Sequence, residues 1–243
     1  MTCPKCGHEQ NPANTECAKC GIVFAKYYKL REARENKSSE DPEGAEETPG
    51  FFSGVIMHVP LTTNIFYVCG RAVVLLVIFL WAWKFILSSP ASNAAGNSFM
   101  HLINLPFHEA GHIVFGPFGK FIGSLGGSLG QLLMPCVCLA VLLLKTRDPF
   151  GASVALWWFG QNFMDLAPYI NDARSLCLPL IGGNTGASAP YGFHDWQFIL
   201  GELHLLKLDH TLAGLSHGLG SVIMMTACAW GAAVLVKQYR NRE

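Results

Sequence analysis

The chain has 243 residues, no net formal charge, 51% hydrophobic residues and 14% charged ones. Soluble domains average about 25% charged residues, so this composition argues against an ordinary soluble enzyme and predicts a membrane protein. Zero net charge gives no electrostatic basis for a nucleic-acid partner.

The chain opens with "CPKCGHEQNPANTECAKCG", in which Cys3-x2-Cys6 and Cys17-x2-Cys20 are each followed by glycine. Two such knuckles offer four thiolates to one tetrahedral Zn²⁺. A stretch this short cannot bury a core, so metal binding would supply most of its folding free energy. A closed four-cysteine site is structural, with docking to a protein partner its expected use. The alternative, two disulfides, conflicts with a cytoplasmic location. The other five cysteines lie in apolar segments and read as packing.

Three regions follow from composition: a zinc-ribbon head and charged segment over 1–37, an acidic linker and membrane approach over 38–64, and a membrane domain over 65–243. The linker centres on "SSEDPEGAEETPG", a composition expected to be flexible. Lys26, Lys29, Arg31, Arg34 and Lys37 precede the first apolar segment, which favours a cytoplasmic N-terminus. The polar start carries no secretory signal, so the first apolar segment is expected to be a retained anchor.

A bilayer core of ~30 Å takes about 20 apolar helical residues. Candidate spans are 66–87, 99–118, 129–145, 150–171 and 212–236. The basic C-terminal "KQYRNRE" also looks cytoplasmic, which five spans would not allow. Either one segment is re-entrant or 193–206 adds a pass. The fold class expected is an all-α multi-pass membrane protein of about five or six transmembrane helices with a small four-cysteine zinc ribbon. "GKFIGSLGGSLGQ", after the second span, is too glycine-rich for a spanning helix and is expected to be a loop or re-entrant segment.

The second span holds "FHEAGH". On a helix His108 and His112 are i and i+4, so both imidazoles project from one face and supply half of a zinc coordination sphere. Glu109 lies about 100° round the helix from His108, placed to take a proton from an attacking water and return it to a leaving amine. These polar groups would each be costly in a bilayer if unpaired, so an intramembrane site is the expectation.

A catalytic zinc needs a third protein ligand. The fourth span offers Asp165 and Asp172. Counted from Lys120 and Arg174 as boundaries, His112, Asp165 and Asp172 lie about 12, 13 and 3 Å deep, so depth favours Asp165. Asp172 could instead pair with Arg174 or support a ligand histidine. Gln161 and Asn162, one turn from Asp165, could bond a substrate main chain or join helices. His194 and Asp195, after a glycine-rich loop, could form a lid or a competing ligand, with a helix N-cap favoured. His101, His204, His210 and His217 lack mutual ligand spacing.

FHEAGH in a span, two spans before one with a buried aspartate, resembles the site-2-protease family of intramembrane zinc metallopeptidases, over roughly residues 99–173. The resemblance implies that His108 and His112 ligate zinc, that Glu109 is the catalytic base, and that an aspartate of the third core helix completes the site. It also implies cleavage of a peptide bond in or near a membrane span of the substrate protein, in a bacterial-type inner membrane. The family's Asn-Pro run and Leu-Asp-Gly string are missing. "NFMDLAPYINDA" keeps Asn162, Pro168 and Asp172 in order, which argues for Asp172 where depth argues for Asp165. Two zinc ions are expected, one catalytic and one structural. The rival readings are an inactive scaffold or chaperone that keeps the metal, and a di-iron lipid hydroxylase, since HEAGH also satisfies HxxxH.

Overall fold

The computed structural model describes residues 1–39, 51–60 and 63–241. The central acidic run of the expected linker, 40–50, lies outside them. The chain divides into two compact units, Met1–Thr48 and Pro49–Glu243. Apart from three isolated bridges, the regular structure of the described residues is helical.

In the first unit each cysteine knuckle closes through a glycine at positive φ, Gly7 at 71° and Gly21 at 68°. Only glycine adopts that region at no steric cost. Short antiparallel bridges, Thr2 with Glu9 and Glu16 with Val23, hold the knuckles. Cys3, Cys17 and Phe24 are buried together, and Phe24 opens helix α1 (Phe24–Ser39).

The second unit begins with α2 (Phe51–Ile56), followed by α3 (Ile65–Ile86). Asn64 caps α3 by accepting the Phe66 N–H at 2.9 Å. Phe66, Leu76 and Leu80 are exposed along α3, while Ala82 and Phe85 are fully buried. Next come α4 (Phe99–Phe115), α5 (Lys120–Ala140, continued by a π turn to Lys145) and α6 (Pro149–Asn171). The unit closes with α7 (Asp195–Glu202) and α8 (Asp209–Arg240). α8 packs along α6 and also against α3; α4 packs along α5, and α5 against α6 and α7. The core joins Ile78, Ala82 and Phe85 of α3 to Trp157 and Met164 of α6 and Met224 of α8. Arg71, a charge inside α3, forms an ion pair with Asp148 at 2.9 Å and lies over the Tyr67 and Phe150 rings. The same Asp148 caps α6 by accepting the Gly151 N–H.

Among the described residues three helical stretches are long and apolar enough to cross a membrane: Ile65–Ile86, Lys120–Lys145 and Leu206–Arg240. That is fewer than the five or six spans expected. α4 has 17 residues, and α6 carries Gln161, Asn162 and Asp165 in its interior. The extra pass considered for 193–206 is not there, because α7 has eight residues, about 12 Å of helix against a ~30 Å core.

The glycine-rich segment after α4 corrects the sequence expectation most clearly. It is no loop: helix begins at Lys120 and runs unbroken through Gly123, Gly126, Gly127 and Gly130. A mid-helix glycine costs about 1 kcal/mol relative to alanine. Here those residues, spaced 3, 1 and 3 apart, share one face and let α5 lie directly on α4. A Cβ on Gly111 of α4 would collide with the Gly126 carbonyl, and one on Gly126 would stand 2.6 Å from Phe115 Cβ. Close backbone packing of this kind offsets the propensity cost.

Candidate metal centre

His108 and His112 stand one turn apart on α4, with ring centroids 4.8 Å apart and planes at 78°. Each Nδ1 faces an oxygen of α5: Gln131 Oε1 at 2.8 Å from His108, and the Gly123 carbonyl at 2.8 Å from His112. A carbonyl oxygen only accepts, so both Nδ1 atoms carry the proton. A neutral ring so fixed presents its lone pair at Nε2, as a metal ligand must.

Asp195 supplies the third group. Its Oδ2 lies 3.1 Å from His108 Nε2 and 3.2 Å from His112 Nε2. When both rings are neutral and carry their proton at Nδ1, the lone pairs of both Nε2 atoms and of the carboxylate converge on one point. A single proton on one Nε2 would satisfy the carboxylate but leave the other Nε2 facing it without a donor, and protons on both would set two imidazolium charges side by side. One cation satisfies all three groups together. Ligand atoms of the three residues lie within 4.8 Å of one another. Gly127 keeps the space beside them clear, since a Cβ there would sit 2.5 Å from both Nε2 atoms. Two histidines and a carboxylate so placed form a donor set able to hold a metal ion.

The loop before α7 delivers Asp195. His194, fully buried, caps α7 by accepting the Gln197 N–H at Nδ1, 3.2 Å away. Its Nε2 points toward Asp172 Oδ2 at 3.5 Å, an ion-pair distance too long for a good hydrogen bond. Burial holds the His194 imidazole below its ordinary pKa range despite the neighbouring carboxylates of Asp172 and Asp195. Tyr169 of α6 meets Asp195 twice: its Oη accepts the Asp195 N–H at 3.1 Å and donates to Oδ2 at 3.3 Å. Glu109 is half-buried, close enough for its charge to act on both His112 and Tyr169.

Asp195, named from the sequence only as a competing ligand, meets the histidine pair, and neither Asp165 nor Asp172 does. Asp165, favoured by depth, faces His101 Nδ1 at 3.0 Å and accepts from Asn104 Nδ2 at 3.0 Å. Asn104 also donates to Gln161 Oε1 at 2.9 Å and accepts from Trp158 Nε1 at 2.8 Å, so Asp165 belongs to a polar network joining α4 to α6. Depth along a helix does not fix which way a side chain faces, and Asp165 faces the turn of α4 before the HEAGH histidines. Asp172 sits at the end of α6 and accepts from Ser175 Oγ and the Cys177 and Leu178 N–H groups, at 2.6 to 2.9 Å. It therefore anchors the loop that leads toward His194. Arg174 does not pair with it but with Asp209, through Nε at 2.8 Å and a terminal nitrogen at 2.7 Å. Gln161 is part of the network between helices, and Asn162 donates to the Trp158 carbonyl of its own helix at 2.9 Å.

Gln131, Gly127 and Tyr169 escaped the sequence reading. The first two were legible in principle, because Gly123, Gly127 and Gln131 repeat every four residues on one helix face. Nothing in the local sequence marks Tyr169.

In the first unit the Sγ atoms of Cys3 and Cys20, and of Cys6 and Cys17, lie 3.7 Å apart. That is too far for the ~2.05 Å bond of a disulfide, and all four thiols are free. Together they form a cluster able to hold a metal ion. Burial opposes ionisation of Cys17, but the Cys20 and Lys19 backbone N–H groups and the Cys20 and Cys3 thiols bring its pKa down to about 6.

No protein-family model, curated protein or solved structure matches the chain.

Proposed function

We propose that the protein is an intramembrane zinc metallopeptidase that hydrolyses a peptide bond in or near a membrane-spanning segment of another protein. One observation carries this reading: the two HEAGH imidazoles, each held at Nδ1 by an acceptor, direct both Nε2 lone pairs at one carboxylate oxygen of Asp195. His108, His112 and Asp195 would hold the ion, with Asp195 in the place first considered for Asp165 or Asp172. A zinc bound there supplies Lewis acidity toward a carbonyl and lowers the pKa of a bound water to about 7.

Glu109 follows the first ligand and shares their side of α4. As general base it takes a proton from the attacking water, and as general acid it returns that proton to the leaving amine. The packing of α4 against α5, itself long and apolar enough to cross a membrane, supports a site within the bilayer. On this reading α4 and α6 also lie at membrane depth, α4 packed along α5 and α6 between α5 and α8. The four-cysteine head would hold a second, structural zinc and leave no position for substrate, so its part is docking to a protein partner.

Among the described residues, the remaining histidines give no second cluster for a di-iron site. His101 is engaged by Asp165, His210 by Asn171 and His217 by the Phe85 carbonyl. The test is Glu109→Gln in reconstituted protein, assayed for cleavage of co-purifying membrane proteins. Loss of a general base should slow cleavage about 10²–10⁴-fold, with two metal ions still bound per chain. Unchanged cleavage would defeat the peptidase reading, and a wild-type chain with two ions but no cleavage would favour the scaffold.

A further inference from the structure

Asp195 reaches the histidine pair from outside α4, α5 and α6, at the first residue of an eight-residue helix. So short an element does not fix a carboxylate by itself, and the N–H groups of its first turn have no partner within the helix. His194 Nδ1 satisfies one of them, from Gln197. Tyr169 Oη satisfies the Asp195 N–H itself, at 3.1 Å. With an Oη lone pair taken by that amide, the hydroxyl proton is directed to Asp195 Oδ2 at 3.3 Å, the oxygen that also faces both imidazoles. The phenol ring is held in turn, packed against His194 at 4.2 Å between centroids and edge-on to His108 at 6.1 Å.

We infer that Tyr169 is a positioning residue that clamps Asp195 in the metal centre, fixing both the start of α7 and the carboxylate oxygen turned toward the ion. This rests on the metal centre proposed above but not on peptide hydrolysis. The clamp joins three separate parts of the chain, with the histidines on α4, the tyrosine on α6 and the aspartate on α7. Its two bonds act on one residue from opposite ends, backbone and side chain. Loss of the hydroxyl would free Asp195 to turn away while leaving the ring packing in place.

The experiment uses the full chain in detergent, stripped of metal and titrated with Co²⁺. Thiolate-to-cobalt absorption in the near ultraviolet reports the four-cysteine head and serves as an internal control. Weaker visible bands without that component report a site of imidazole and carboxylate. Tyr169→Phe should leave the head's affinity unchanged, weaken the second ion about 10–100-fold and alter its visible bands. The thermal midpoint of the metal-free chain should fall only slightly, through the lost acceptor of the Asp195 N–H, with the helical circular dichroism unchanged. In an Asp195→Ala background the same change should weaken binding no further, because the group it acts through is gone.

Equal affinity and identical bands in Tyr169→Phe would overturn the inference alone. So would further weakening in the Asp195→Ala background, or a fall in metal-free stability that accounts for the loss. A wild-type chain that binds only the thiolate-ligated ion would overturn the metal centre and the clamp together. Should Tyr169→Phe not fold, 3-fluorotyrosine at 169 keeps ring and hydroxyl while strengthening the donor. It should shift the visible bands of the second ion, and unshifted bands count against the clamp.

Discussion

The two clusters able to hold a metal differ in how the chain assembles them. In the head, four thiols come from 18 consecutive residues, Cys3 to Cys20, and two tight knuckles suffice to bring them together. In the helical unit, Asp195 lies 87 residues from His108 and arrives on a separate short helix. The first cluster is a local arrangement and offers four donors, as many as a tetrahedral ion takes. The second needs α4, α5, α6 and α7 in place and offers three protein donors. A cluster assembled over so long a range depends on the packing of several helices and is easier to disturb than one closed by two adjacent turns.

That contrast can be broken most directly at Asp195 and Cys20. Asp195→Ala should lower affinity for the second ion by more than about 100-fold, since a ligand is lost rather than one of its supports, and leave the head's ion in place. Cys20→Ser should do the reverse and also unfold the head, whose folding depends on its metal. Metal content and circular dichroism of both variants give the answer, and loss of both ions in either would end the separation.

Gly127→Ala is next. Its methyl would press on both Nε2 atoms at 2.5 Å, so the second ion should bind about 10-fold or more weakly, an effect of the size seen on disturbing a ligand's support. The helical circular dichroism signal should stay intact. Tight binding in this variant would mean that the imidazoles are not held where α5 puts them.

The smallest effect separates Asp165 from Asp195. Asp165→Ala should keep both ions and cost stability, about 1–3 kcal/mol, by leaving Asn104 and His101 without their acceptor. Thermal or denaturant unfolding in detergent measures it. Loss of the second ion with stability unchanged would return Asp165 to the metal.

Much of this architecture could be read from residues in order. The five long apolar segments expected from the sequence correspond to α3, α4, α5, α6 and α8 to within several residues at most ends, because apolar runs bounded by charge and proline are local features. The exception is the start of α5. Average propensity counts each glycine against a helix, and it took the neighbouring backbone of α4 to make the Gly123–Gly126–Gly127–Gly130 face favourable. At the site, the HEAGH spacing was legible because i and i+4 share a face on any helix. The aspartate was legible only as one of three candidates: Asp195 ranked below Asp165 and Asp172 because depth was reckoned among spanning helices and Asp195 stands on α7, outside them.

The sequence by itself determined the apolar helical character, the four-thiol head and the pairing of His108 with His112, each resting on contacts within a few residues. Only the tertiary structure decided that Asp195 faces that pair, that Gln131 and the Gly123 carbonyl fix its tautomers, and that Tyr169 holds the aspartate. Those choices turn on which way side chains on separate helices face, and helix orientation is set by packing across the whole unit.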